Sequence, residues 1–209
     1  MTGPTGATSV RPDGTPWGPV RDAIRWKYAE VARSAAGKFL YPTGRAGAEA
    51  LGYDSDIISS APPRLLESFC GVGNPFSLGK ISTGDAVLDF GCGAGFDLFA
   101  ASRLCGKEGG VVGVDLTEEM VDKARTNLLS AAVHNFEIVQ IDSESIPFMD
   151  GSFDVVISNG VINLTPHKLT TFREFFRVLR PGRRLQFADV VLERDLPEGL
   201  NKSPEAWSQ

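Results

Sequence analysis

The stretch that most constrains this 209-residue chain is Val87-Leu-Asp89-Phe-Gly91-Cys92-Gly93-Ala-Gly95-Phe-Asp97. The apolar run 86–90 has the texture of a short strand buried on both faces of a parallel sheet. It leads straight into three alternate glycines. Residues 97–105 then read as a helix, with Gly106 just past its end, the usual place for a helix-terminating glycine. Glycines allow a tight turn and close approach of a ligand to the main chain. The helix start that follows presents unpaired N–H groups. A dinucleotide fingerprint spaces its glycines G-x-G-x-x-G around a pyrophosphate. The spacing here is G-x-G-x-G with Asp89 just upstream, and a carboxylate suits an ammonium better than a phosphate by the sign of the charge. A nicotinamide-dependent oxidoreductase is disfavoured on that ground; a plain glycine-rich turn is the structural alternative.

Downstream the texture alternates. Residues 111–115, 136–141, 153–158 and 184–191 read as strands. Thr117 is placed to cap a helix, with Glu118 and Glu119 in its first turn and Met120, Val121, Ala124 and Leu128 on its apolar face. Leu169, Phe172, Phe176 and Leu179 form another apolar helical stripe, which stops at Pro181-Gly182. Strands alternating with helices predict an α/β fold: a doubly wound, mostly parallel Rossmann-like sheet whose ligands bind at the carboxyl ends of the strands. Residues 81–209 make up this domain. Residues 1–18, with seven Gly or Pro, read as a disordered tail. Residues 19–80 read as an N-terminal helical lid. Within it lie a helix over 20–36, a loop at 41–47, a helical turn at 46–51, a short helix after Pro62-Pro63 and a loop at 71–75.

With 42% hydrophobic and 22% charged residues, the chain can build one real core. A net charge of -5 argues against nucleic acid as a partner. Arg177, Arg180, Arg183 and Arg184 read as a solvated helix end. Cys70, Cys92 and Cys105 form a sparse, odd set without CxxC spacing, so neither a disulfide framework nor a structural zinc site is expected. His134 and His167 have no ligand spacing, and no metal is expected. Reduced thiols, the lack of a signal-peptide pattern and the lack of a long apolar run predict a cytoplasmic chain with no membrane partner.

Further polar signals fall at strand ends. Asp115 lies 20 residues after Gly95, where a carboxylate can accept both hydroxyls of a ribose or simply cap the strand end. Asp142 and Ser143 follow the third strand, where Asp142 can accept from an adenine amino group or close an Asx turn. Ser158-Asn159-Gly160 and Asn163 bring small and polar residues to the end of the fourth strand, the place for a second ligand's pocket.

These motifs together resemble the class I S-adenosylmethionine-dependent methyltransferases over residues 64–209. Gly-Asn-Pro at 73–75, Gly93-Ala-Gly-Phe-Asp97, Val114-Asp-Leu-Thr-Glu-Glu-Met120 and Ser158-Asn-x-Val-Ile-Asn-Leu-Thr-Pro166 are similar to the arsenite methyltransferases in particular. The resemblance implies S-adenosylmethionine as cofactor, S-adenosylhomocysteine as product and a small-molecule methyl acceptor. It assigns Asp89, Gly91, Cys92, Gly93, Gly95 and Asp97 to the methionine end of the cofactor. Asp115 falls to the ribose, Asp142 and Ser143 to the adenine, and Leu116 and Met120 to packing on the base. Asn159 and Gly160 border the methyl. Cys70, Asn74 and Asn163 are the candidates for the acceptor pocket. The thiols that hold trivalent arsenic in those enzymes are replaced here by Val72 and Gly160. The resemblance therefore carries the fold and cofactor, and the acceptor is read as a thiol or other soft nucleophile. No catalytic residue is assigned, because methyl transfer in line can proceed by positioning alone. Family members continue with two more strands, which marks this chain as truncated or a fragment. Its fifth strand would then be an open edge available for homodimerisation. The alternative is a non-catalytic S-adenosylmethionine-binding or interaction protein derived from the same ancestor.

Overall fold

The computed structural model describes residues 17–193. The tail expected at 1–18 lies outside them except for Trp17 and Gly18, and Gly18 already opens a helix. Four helices precede the sheet: α1 (Gly18–Arg33), α2 (Gly44–Ala50), α3 (Ser55–Ser60) and α4 (Pro63–Glu67). Helix α2 begins inside the segment read as a loop. Helix α3 was not anticipated; it is started by Asp54, whose Oδ1 accepts from the Asp56 and Ile57 N–H groups at 2.8 and 3.3 Å. A 3-10 turn, Pro75–Leu78, leads to the sheet.

Strands β1 (Ala86–Phe90), β2 (Gly110–Asp115), β3 (Phe136–Gln140), β4 (Phe153–Asn159) and β5 (Leu179–Ala188) alternate with α5 (Phe96–Cys105), α6 (Glu118–Ser130) and α7 (Lys168–Val178). The sheet order is β3-β2-β1-β4-β5, and every pairing is parallel. Winding reverses between β1 and β4, and a crevice opens at their carboxyl ends. One face of β1, through Val87, packs with Phe96, Phe99 and Leu128 from α5 and α6 and with residues of α2 to α4. The other face, through Leu88 and Phe90, packs with Ile146, Phe175 and Val178. Helix α5 lies so close to the sheet that a Cβ on Gly113 would fall 2.6 Å from Leu98 Cδ1 and 2.7 Å from Cys92 Sγ.

Two expectations are corrected. The stripe Leu169, Phe172, Phe176 faces outward, with Phe176 85% exposed; the buried face of α7 is Thr171, Phe175 and Val178. Two apolar stripes lie side by side on this helix, and Phe175 wins the core because its ring packs edge-on to Phe90 at 5.0 Å. The second correction concerns the arginines. Arg180 and Arg183 both pair with Asp154, whose Oδ2 also accepts from Ala86 N at 3.0 Å. Arg177 joins Glu174, Asp150 and the carbonyls of Ile146 and Phe148. The basic cluster thus fastens β1, β4 and α7 and is not a solvated helix end. Helix α7 stops at Val178. Strand β5 starts there, runs irregularly through Pro181 and Gly182, and regains register at Arg184 opposite Val155. Proline and charge at an outer strand discourage edge pairing.

Lys123 fastens the N-terminal helices to α6. Its Nζ donates to Ala32 O at 2.8 Å and Ser68 Oγ at 2.9 Å. Lys123→Met is expected to lower stability by about 1–3 kcal/mol, the cost of leaving such groups unpaired, and denaturant unfolding would show it. A change within error would mean the attachment is apolar.

Candidate functional site

The glycine loop leaves β1 with Gly91, Gly93 and Gly95 at φ of 79°, 51° and 92°, the left-handed region that favours glycine. Gly91 N and Cys92 N bond Val114 O, tying the loop to β2. Asp115 shapes it further: Oδ2 accepts from Gly93 N at 2.8 Å and Oδ1 from Thr117 N at 2.9 Å. Thr117 sits at the cap of α6, yet its side chain makes no capping bond. A Cβ on Gly93 would meet nothing within 4 Å, whereas one on Gly91 would strike Val161. The loop is therefore open at Gly93, where a ligand can come against the main chain.

A cavity lies between this loop, the segments after β2, β3 and β4, and helix α1. Gly91, Gly93, Asp115, Leu116, Asp142, Ser143, Asn159, Gly160 and Cys70 all line it. Asp89, Cys92, Gly95, Asp97, Met120, Asn74 and Asn163 do not. Met120 is buried among Val31, Ala32, Ala35 and Ala94. The Cys92 sulfur packs against Gly113. Asn74 holds the 3-10 turn, accepting from Phe76 N at 3.0 Å and donating to Gly52 O at 2.9 Å. Asn163 donates its N–H to Asp189 Oδ2 at 3.0 Å.

Asp89 and Asp97 are buried side by side. Asp97 accepts from Tyr53 Oη at 2.7 Å and Asn159 Nδ2 at 3.1 Å. Burial lifts its carboxyl to about 6, against the pull of those two hydrogen bonds. Asp89 Oδ2 is buried with no partner among the described residues. Burial first, then Asp97 and Asp115, push that carboxyl well above the ordinary range. Burial also raises Asp115, although its backbone hydrogen bonds oppose the shift. Among the described residues no Lys or Arg forms an ion pair with any of the three. Buried carboxylates without a counter-charge favour a cationic ligand.

Asn159 ties several segments together. Its Oδ1 accepts from Val72 N and Gly73 N at 2.9 and 3.1 Å; its Nδ2 donates to Gly73 O, Tyr53 Oη and Asp97. The 71–73 loop is thereby held over the end of β4. Cys70, beside that loop, has its thiol pushed up to about 12, chiefly by burial. Helix α1 adds Arg21, Ile24 and Tyr28 to the cavity wall, and Arg21 Nη2 pairs with Glu144 Oε2 at 3.2 Å. Residues 24 and 28 lie on the helical stripe visible in the sequence, but nothing there points them at a ligand. Tyr53 and Asp189 carry no sequence signal at all.

A methyltransferase domain model matches residues 81–209. The chain is 36% identical over 200 residues to an arsenite methyltransferase of Halobacterium salinarum, covering 89% of this chain and 51% of that protein. It is 38% identical over 189 residues to the ubiquinone/menaquinone biosynthesis C-methyltransferase UbiE of Pseudomonas entomophila, covering 87% of this chain and 64% of that protein. Among solved structures, an arsenic(III) S-adenosylmethionine methyltransferase from Chlamydomonas reinhardtii matches with a TM-score of 0.59 and 31% identity, covering 78% of this chain and 55% of that one. The chain spans about half the length of the first curated relative it matches. It belongs to the methyltransferase domain family of S-adenosylmethionine-dependent enzymes. The residues present fit that cofactor: an open glycine loop, with Asp115 on the cavity wall and buried Asp89 and Asp97 behind it, none of them ion-paired among the described residues, suits a sulfonium that also carries an ammonium.

Proposed function

We propose that this chain binds S-adenosylmethionine in the cavity at the ends of β1 and β4 and directs methyl transfer to a small-molecule acceptor with a soft reacting atom. The observation that carries this reading is the trio Asp89, Asp97 and Asp115 around the open glycine loop. When bound, the cofactor supplies an electrophilic methyl on positively charged sulfur. Gly91 and Gly93 receive the amino-acid end at the cavity wall, and the buried Asp89 and Asp97 carboxyls behind them supply its counter-charge. Asp115 takes the ribose. Asp142 and Ser143 face the adenine, with Leu116 against its ring. Met120 stands behind the wall and supports the packing of α1. Asn159 and Gly160 border the reacting centre. Helix α1 covers the cavity as part of a lid, and water is excluded there by Ile24 and Tyr28. In-line displacement in a dry site needs orientation more than acid help.

The named relatives act on arsenic and on carbon, both polarisable centres, which supports a soft acceptor. The wall argues against trivalent arsenic, which prefers several thiolates. A Cβ on Gly160 would lie 3.4 Å from the Val72 methyls, so the two positions that the resemblance marks as cysteines form a hydrocarbon contact. Among the described residues Cys70 is the one thiol on the cavity wall. No helix among the described residues is long and apolar enough to cross a membrane.

The test is S-adenosylhomocysteine release by the purified chain over thiols, hydroxyaryl compounds, amines and arsenite. Turnover is expected with a thiol or a carbon nucleophile and not with arsenite. Cofactor binding without turnover on any member would instead favour a non-catalytic binding protein.

A further inference from the structure

Tyr28 stands where the two parts of the cavity meet. It lines the cavity together with Leu116 and Cys70, and its ring packs against two small buried clusters, one containing Ile24 and Leu164 and the other Val31 and Met120. Leu116 belongs to the wall assigned to the base, and Cys70 to the wall assigned to the acceptor. Tyr28 follows Ile24 by one helical turn on the face of α1 that lines the cavity. Among the described residues its hydroxyl makes no hydrogen bond, although nearly every other polar group around it is engaged. Asp115 is held by Gly93 N and Thr117 N. Asp189 accepts from Asn163 N, and its other oxygen from Val190 N at 2.7 Å. Tyr41 Oη donates to Cys70 O at 3.0 Å. Tyr28 is only partly buried, so its hydroxyl is open to the cavity, where a ligand oxygen can accept from it in place of water.

The charge around Tyr28 narrows the choice of ligand. Burial, and then the neighbouring Cys70, Tyr41, Asp115 and Asp189 groups, push its phenol well above the ordinary range, so at neutral pH it is a donor. Cys70 is a neutral thiol in the same surroundings. The carboxylates of Asp115 and Asp189 repel an anion. Arg21, on the same cavity wall, is paired with Glu144, and the Lys27 ammonium sits 4.7 Å from the centre of the Phe39 ring.

We infer that Tyr28 determines acceptor specificity, its hydroxyl donating to an oxygen of an electrically neutral, apolar-bodied molecule beside the atom that takes the methyl. A hydroxyaryl or enolic carbon nucleophile meets that description. A carboxylate does not, nor does a hydrocarbon without oxygen. This inference rests on the cofactor occupying the Leu116 side of the cavity.

The test uses the full chain saturated with S-adenosylhomocysteine and titrated calorimetrically with 2-naphthol, 2-methylnaphthalene and 2-naphthoate. Naphthol is expected to bind more tightly than the other two. Tyr28→Phe should weaken naphthol about fivefold, the effect of one neutral hydrogen bond, and leave methylnaphthalene and S-adenosylhomocysteine within about twofold. Equal or tighter binding of naphthoate would overturn the inference and assign the pocket to Lys27. An equal loss for S-adenosylhomocysteine and naphthol would make Tyr28 a cofactor contact and overturn it too. Absence of naphthol binding to the loaded protein would have the same force. Failure of S-adenosylhomocysteine itself to bind would instead remove the cofactor assignment beneath it.

Discussion

Asp115→Ala is expected to weaken S-adenosylhomocysteine binding roughly a hundredfold, the effect of losing two or more charge-assisted hydrogen bonds. Both Asp115 oxygens already hold backbone N–H groups, at Gly93 and at Thr117. Removing them frees the loop at its open position and takes away the acceptor for a ribose hydroxyl. Asp115→Asn keeps one oxygen acceptor and is expected to fall between wild type and alanine. Calorimetric titration gives the affinities, and melting without ligand separates loop disorder from global unfolding. A loss below about threefold for the alanine variant, far less than one charged hydrogen bond, would mean that the cofactor is held elsewhere.

The second large effect is on pH. Cofactor affinity should rise from pH 5 to pH 8, with proton release on binding, because a cation stabilises the ionised forms of Asp89 and Asp97. The sign follows from the direction of the shifts. Both carboxyls lie above their ordinary value of 3.8 in the folded chain, Asp97 near 6 and Asp89 also raised. Their contribution to stability is full below 3.8 and is lost as pH rises through the folded values. The unliganded protein is therefore destabilised by these groups on approaching neutrality, and a bound cation recovers the loss. With one proton displaced, the slope below pH 6 is about tenfold per pH unit. Asp89→Asn should flatten the slope, weaken binding at pH 8 and raise the unliganded melting temperature at pH 7. Titration in two buffers of different ionisation enthalpy counts the protons. An affinity that is flat across this range would leave the carboxylate trio without its assigned ligand.

The strand–glycine–helix unit was legible because its signals are local: an apolar run, a fixed glycine spacing and a helix directly after. The same holds for the alternation that predicts a doubly wound sheet. What escaped was non-local. Phe175 and Phe172 are equally apolar, and only the position of Phe90 decides which of them is buried. Arg180 and Arg183 look like a surface charge run until Asp154 is folded against them. Tyr53 reaches Asp97 across 44 positions, and Asn159 reaches the 71–73 loop across more than 80. No spacing rule within a window of one turn or one strand contains such pairings. Tyr28 and Ile24 show the intermediate case: their periodicity reveals a buried helical face but not what lies against it.

Helix α1 supplies one wall of the cavity through Arg21, Ile24 and Tyr28 and meets the rest of the protein mainly through small clusters, the Lys123 bonds and the Arg21–Glu144 pair. A ligand that fills the cavity adds contacts available only when that helix is docked. Occupancy and local folding are therefore linked equilibria. Amide exchange in residues 18–33 should slow when ligand is added, by a larger factor than in β1 or β4, whose opening already requires disruption of the sheet.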